Sequence, residues 1–109
     1  MEMSRKPGVS HDEWMIEELR RDKNFAAEYL RQAMADMNDA EGRGAALLAL
    51  RRLAEAHGGM AEVAKEAGIQ RESLYRALSP NGNPTLKTLI AVLKTVGMRL
   101  AVEPDKKAA

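Results

Sequence analysis

Residues 58–78 read GGMAEVAKEAGIQRESLYRAL, and their pattern decides the fold. The glycine pair stops whatever helix precedes it, and from Met60 to Ala67 the residues Val63, Ala64 and Ala67 fall on one helical face. Gly68 permits a left-handed backbone at the next break, and Ile69 offers an apolar plug between the two helices. Leu74, Ala77 and Leu78 then continue the buried side. Helices that cross steeply at a short Gly-containing turn need a small residue where they touch, and Ala64, four residues before Gly68, meets that need. The spacing predicts a helix-turn-helix over Met60–Leu78.

Burying those positions turns Gln70, Arg71, Glu72, Ser73, Tyr75 and Arg76 outward. Arginine forks onto guanine O6 and N7 or onto phosphate, glutamine makes paired bonds to adenine, and Ser and Tyr hydroxyls bond phosphate oxygens. The plain alternatives are solvated charges for Arg71 and Arg76 and cover over a neighbouring turn for Tyr75. SPNGNP, residues 79–84, is turn chemistry throughout. Asn83 or Thr85 caps the last helix, which carries Leu86, Leu89, Ile90, Leu93 and Val96 on one face and stops at Gly97. Asn83 and Lys87 can hold a phosphate together with backbone N–H groups, although capping alone accounts for Asn83.

Upstream, Ser10 or Asp12 caps a short helix with Trp14, Met15, Ile16 and Leu19 on its apolar side, and Asp22 caps the next. Ala26, Leu30, Ala33, Met34 and Met37 recur at helical spacing over Asn24–Met37, with Phe25 and Tyr29 one turn apart. Asn38 and Asp39 interrupt. Ala46, Leu47, Leu50, Leu53 and Ala54 form a third stripe, whose start Gly42 and Gly44 blur. After Gly97 the period changes: Met98, Leu100 and Val102 alternate with Arg99, Ala101 and Glu103, a strand pattern. A lone strand in a helical chain leaves its backbone half satisfied, so pairing with a second copy through Met98, Leu100 and Val102 explains it. A plain extended tail ending at Pro104 is the competing reading.

These segments divide the chain into a disordered leader (residues 1–9), one helical domain (10–104) and a disordered tail (105–109). Within the domain, residues 10–57 supply N-terminal helices, 58–97 the helix-turn-helix and its following helix, and 98–104 the strand. A length of 109 residues suits one core, and 45% hydrophobic content with only four aromatic residues suits helix-on-helix packing. An all-α fold of five or six helices is expected.

There is no cysteine, hence no disulfide framework or thiolate metal site. The longest apolar run, Ala45–Leu50, is too short to span a bilayer, and MEMSRKPGVSH lacks the apolar region of a signal peptide, which points to a cytoplasmic protein with no membrane association. Residues 1–57 carry nine Lys/Arg against eleven Asp/Glu, and residues 58–109 carry eight against five, so the halves differ in sign. The basic half suits a polyanion. His11 and His57 lack ligand spacing, Glu17 and Glu18 point to different sides of a helix, and no nucleophile triad, phosphate loop or cofactor motif stands out. Neither enzyme activity nor a cofactor is expected.

The helix-turn-helix resembles that of the Cro and lambda-repressor-like superfamily, in which an alanine, a glycine and a following aliphatic recur as Ala64, Gly68 and Ile69 do. Met60 stands where members commonly have a phosphate-bonding glutamine. FAAEYLRQAM (25–34), GGMAEVAKEAGIQRESLYRALSPNGNPTLKTL (58–89) and VGMRLAVEP (96–104) together are similar to HigA-like addiction-module antidote proteins, over roughly residues 12–104.

That resemblance implies a homodimer that neutralises a RelE/HigB-like ribonuclease toxin and represses its own operon by binding double-stranded operator DNA. It places the toxin on the N-terminal helices, where Trp14, Phe25 and Tyr29 are the aromatic candidates. Acids outnumber bases six to three from Asp12 to Glu28, which suits a basic partner; core packing and a solvated helix face are the plain alternatives. Two rivals stand beside this reading: a helix-turn-helix regulator, phage-derived or otherwise, with no toxin, and an interaction module that binds no DNA.

Overall fold

The computed structural model describes Gly8 and residues 10–106, so the expected leader and the last residues of the expected tail lie largely outside it. Six helices follow one another: α1 (His11–Arg21), α2 (Lys23–Met34), α3 (Ala40–Ala56), α4 (Met60–Ala67), α5 (Arg71–Ala77) and α6 (Leu86–Thr95). Four of the six starts carry a side-chain cap. Ser10 caps α1 by accepting the Glu13 N–H, Asp22 caps α2 by accepting those of Asn24 and Phe25, and Thr85 caps α6 by accepting that of Thr88. Asp39 does the same for α3 through the Gly42 N–H, at 2.8 Å.

The helices form two groups that share α3. It packs on α1 and α2 on one side and on α4 on the other, while α4 also packs on α5 and α6. One buried cluster runs through all six: Leu19 from α1, Leu30 from α2, Leu50 and Leu53 from α3, Val63 from α4, Leu74 from α5 and Leu93 from α6. Arginines fasten the first group. Arg20 donates through Nε to the Ala56 carbonyl at 3.1 Å, and Arg52 donates to the Tyr29 hydroxyl at 3.0 Å and to the Asp12 carboxylate. The bond to Tyr29, then that to Asp12, raises the Arg52 pKa against a burial that lowers it, so the guanidinium stays charged.

Three expectations are corrected. α2 ends at Met34 instead of Met37, because the chain must fold back for α3: a Cβ on Gly42 would stand 1.5 Å from the Asp36 carbonyl oxygen. That contact demands a non-helical connector. α6 turns Val92 and Leu93 inward and leaves Leu86 66% and Ile90 48% exposed, since α4, the helix it packs on most, covers only one stripe of it.

The expected strand at Met98–Val102 does not form within the chain. The Met98 N–H donates to the Leu93 carbonyl at 2.7 Å, closing α6. Beyond it, no backbone–backbone hydrogen bond among the described residues engages Arg99–Pro104. A ladder needs a second edge, and a helical chain has none to offer.

Candidate nucleic-acid interface

The candidate face is built on the α4–α5 turn. Gly68 adopts φ 72°, ψ 32°, and the Ile69 N–H reaches the Ala64 carbonyl at 2.9 Å, a left-handed helix stop that redirects the chain within two residues. Gln70 then opens α5 with extended backbone, but its side chain makes no capping bond and stays exposed. Leu74 and Leu78, at 0% and 1% exposure, fix the rotation of α5 against the core. That rotation brings Arg71, Glu72, Tyr75 and Arg76 together around one shallow surface hollow. Tyr75 is 51% exposed, whereas Ser73 is half-buried on the flank of the helix.

Charge pairing differs sharply between the two ends of the chain. Among the described residues, every arginine–carboxylate ion pair lies between Asp12 and Arg52: Arg20 with Glu17, Arg21 with Glu18, Arg31 with Glu28 and Arg52 with Asp12. Arg31 and Gln32 together hold the exposed Glu28 carboxyl below its usual range, the Gln32 hydrogen bond contributing most. None of the described ion pairs involves Arg71, Arg76 or Lys87. Exposed pairs add little to stability, but an unpaired guanidinium is free to neutralise a phosphate without first breaking a contact.

Asn83 and Lys87 lie exposed on the loop and first turn that follow α5. Thr85 performs the capping, which frees the Asn83 amide. Met60 is 3% exposed and packs inward, so the position where glutamine would meet a phosphate is part of the core here. Gly44 lies close to this loop: a Cβ built on it would stand 3.8 Å from the Pro80 carbonyl oxygen, so α3 backs the segment carrying Asn83.

The aromatic candidates of the N-terminal helices are all partly buried. Phe25 and Tyr29 stack at 6.4 Å between ring centroids and pack against the core, and the Tyr29 hydroxyl is engaged by Arg52. Trp14 is half-buried beside His11, with a buried indole N–H that has no hydrogen-bond partner among the described residues. Exposed apolar surface lies elsewhere. A groove of about 440 Å³ runs between α2, α6 and the C-terminal segment, walled by Leu30, Met34 and Met37 on one side and Leu100 and Val102 on the other. Met98 is half-buried at its base, whereas Leu100 is 40% and Val102 99% exposed. The signal for this groove was Met37, an apolar residue stranded past the helix it had seemed to belong to.

Among the described residues, no helix is long and apolar enough to cross a membrane, and no group of three or more His, Asp or Glu could hold a metal ion.

Residues 11–104 match the model of a family described as "Probable addiction module antidote protein". A curated protein of Haemophilus influenzae, described as an uncharacterized protein, is 43% identical over 49 residues, covering 45% of this chain and 50% of the relative. The chain thus matches about half the length of that relative. No solved structure matches the chain.

Proposed function

The chain belongs to the family of addiction-module antidote proteins, and on that premise we propose that it is the antitoxin of a toxin–antitoxin pair that also represses its own operon. Its partner is a RelE/HigB-like ribonuclease toxin, and its second ligand is double-stranded operator DNA, bound as a homodimer. The observation that supports the DNA half is the cluster of exposed arginines on α5, in no ion pair among the described residues and aimed off the core by Leu74 and Leu78.

In this reading α5 enters the major groove with Gln70 and Arg71 leading, because the N-terminal residues of a recognition helix reach base edges first. Arg76, Tyr75 and Ser73 bond phosphates along the flank, and Asn83 with Lys87 holds the next phosphate. Glu72 selects against wrong sites, since a carboxylate tolerates only a hydrogen-bond donor such as cytosine N4 beside it. A two-fold dimer sets two such heads about 34 Å apart, one turn of the duplex. The first three helices, with their paired and net acidic surface, take the toxin.

Co-expression with the neighbouring open reading frame tests the toxin half. Rescue of growth together with a complex that survives purification supports it, and a neighbour without toxicity leaves a plain repressor. Operator titrations at several salt concentrations test the other half. Four to six phosphate contacts per dimer give a log–log salt slope between about −3.5 and −5.5, whereas a flat response would remove DNA as a ligand.

A further inference from the structure

Resting on the dimeric reading above, we propose that residues 98–104 pair antiparallel with the same segment of a second copy, about a two-fold axis through Ala101. The pairing closes the apolar groove of both copies at once.

The groove has an open lip. Val102 is almost wholly exposed beside Leu100 and Met37, an apolar rim that water covers in the isolated chain. The backbone beside it is equally open. N–H groups of an extended strand point to alternate sides; with that of Met98 engaged by Leu93, a strand over 98–104 would turn those of Arg99, Ala101 and Glu103 to the free edge. An edge of this kind takes a strand.

Charge complementarity names the occupant. Identical strands related by a two-fold axis must pair with a constant sum of residue numbers, because the contact is self-complementary. With Ala101 on the axis, Arg99 meets Glu103 of the second copy twice over, and Leu100 meets Val102 of the second copy twice over. Opposed residues share a face with their Cβ atoms about 4.5–5.5 Å apart, so the two ion pairs lie on one face and the two apolar pairs on the other.

The hydrogen-bond pattern agrees. Met98, whose N–H is already engaged, falls opposite Pro104, which has none, as a non-hydrogen-bonded pair. Moving the axis by half a residue sets Arg99 against Val102 and puts apolar side chains on the charged face. Moving it to Val102 keeps a single kind of ion pair, Arg99 with Asp105, but sets Leu100 against Pro104 and Ala101 against Glu103. The Ala101 axis is the one that satisfies both faces.

The test is the dimer dissociation constant by sedimentation equilibrium, with neither DNA nor toxin present. Arg99→Glu and Glu103→Arg should each weaken the dimer about tenfold or more, since each puts like charges opposite one another at both ends of the ladder. The double swap should restore it to within a few-fold, and Asp105→Arg should leave it unchanged. Ala101→Cys should cross-link to a covalent dimer in mild oxidant, while Glu103→Cys alone should not, because it faces position 99. A wild-type dimer indifferent to both charge reversals, or one that fails to cross-link at 101, overturns the pairing and leaves the dimeric repressor reading standing. A wild-type chain that stays monomeric, with Val102→Asp abolishing toxin binding, overturns both and gives the groove to the toxin.

Discussion

Arg71 and Arg52 carry the same guanidinium to opposite ends. Arg71 is exposed and outside every described ion pair, so Arg71→Ala should cost operator affinity about 1–3 kcal/mol if it meets a base, and should leave the melting temperature and the toxin complex unchanged. Arg52 joins α3 to Tyr29 of α2 and Asp12 of α1. Arg52→Ala should cost about 1–2 kcal/mol of stability in urea unfolding, mostly through the part-buried Tyr29 bond, with operator affinity of the folded protein intact.

Two glycines in the first turns of α3 should behave oppositely. Gly44→Ala meets only a van der Waals contact with Pro80 and should stabilise by about 0.5–1 kcal/mol, because alanine has less backbone freedom to lose in a helix. Gly42→Ala drives a methyl group into the Asp36 carbonyl and should destabilise by about 1–3 kcal/mol or more. Thermal melts of the two variants side by side decide it; equal shifts would contradict the packing described.

At the scale of elements, the starts of α1, α2 and α6 were legible, with two candidate caps each for α1 and α6, because caps are local chemistry, whereas Gly42 and Gly44 hid the start of α3 at Asp39. Ser10, Asp22 and Thr85 each sit where a polar side chain can reach an N–H two or three residues on. Thr85→Ala should therefore lower the melting temperature by several degrees, corresponding to about 1 kcal/mol, and loosen the loop that carries Asn83.

Ends and faces were less legible, since they depend on what packs against them. Met37 continues the apolar period of α2, but the helix stops three residues earlier to let α3 return. Leu86 and Ile90 continue the apolar stripe of α6, but α4 covers only the flank bearing Val92 and Leu93. The rotation of α5 is easier to read than the burial of the N-terminal aromatic residues. Leu74 and Leu78 on α5 fix their neighbours' direction by helical period alone, whereas the partial burial of Phe25 and Tyr29 depends on helices distant in sequence.

For the molecule as a whole, the decisive feature is that α3 belongs to both helix groups. No layer of water-filled interface separates the group proposed to hold the toxin from the group proposed to hold DNA. Trp14, the only tryptophan, sits in α1 and reports on the first group, while helical circular dichroism reports on both. The two signals should lose intensity in one coincident transition on heating, as a single cooperative unit does. Separate midpoints would show that α1 and α2 release α3 before α4–α6 melt.

A shared helix also sets a clock. A protease that captures the chain in its unfolded state takes both proposed binding surfaces in the same event, because α3 is part of the core of both groups. On the proposed function, loss of repression and release of the toxin would then run on one lifetime, that of the core built around the 17-residue α3.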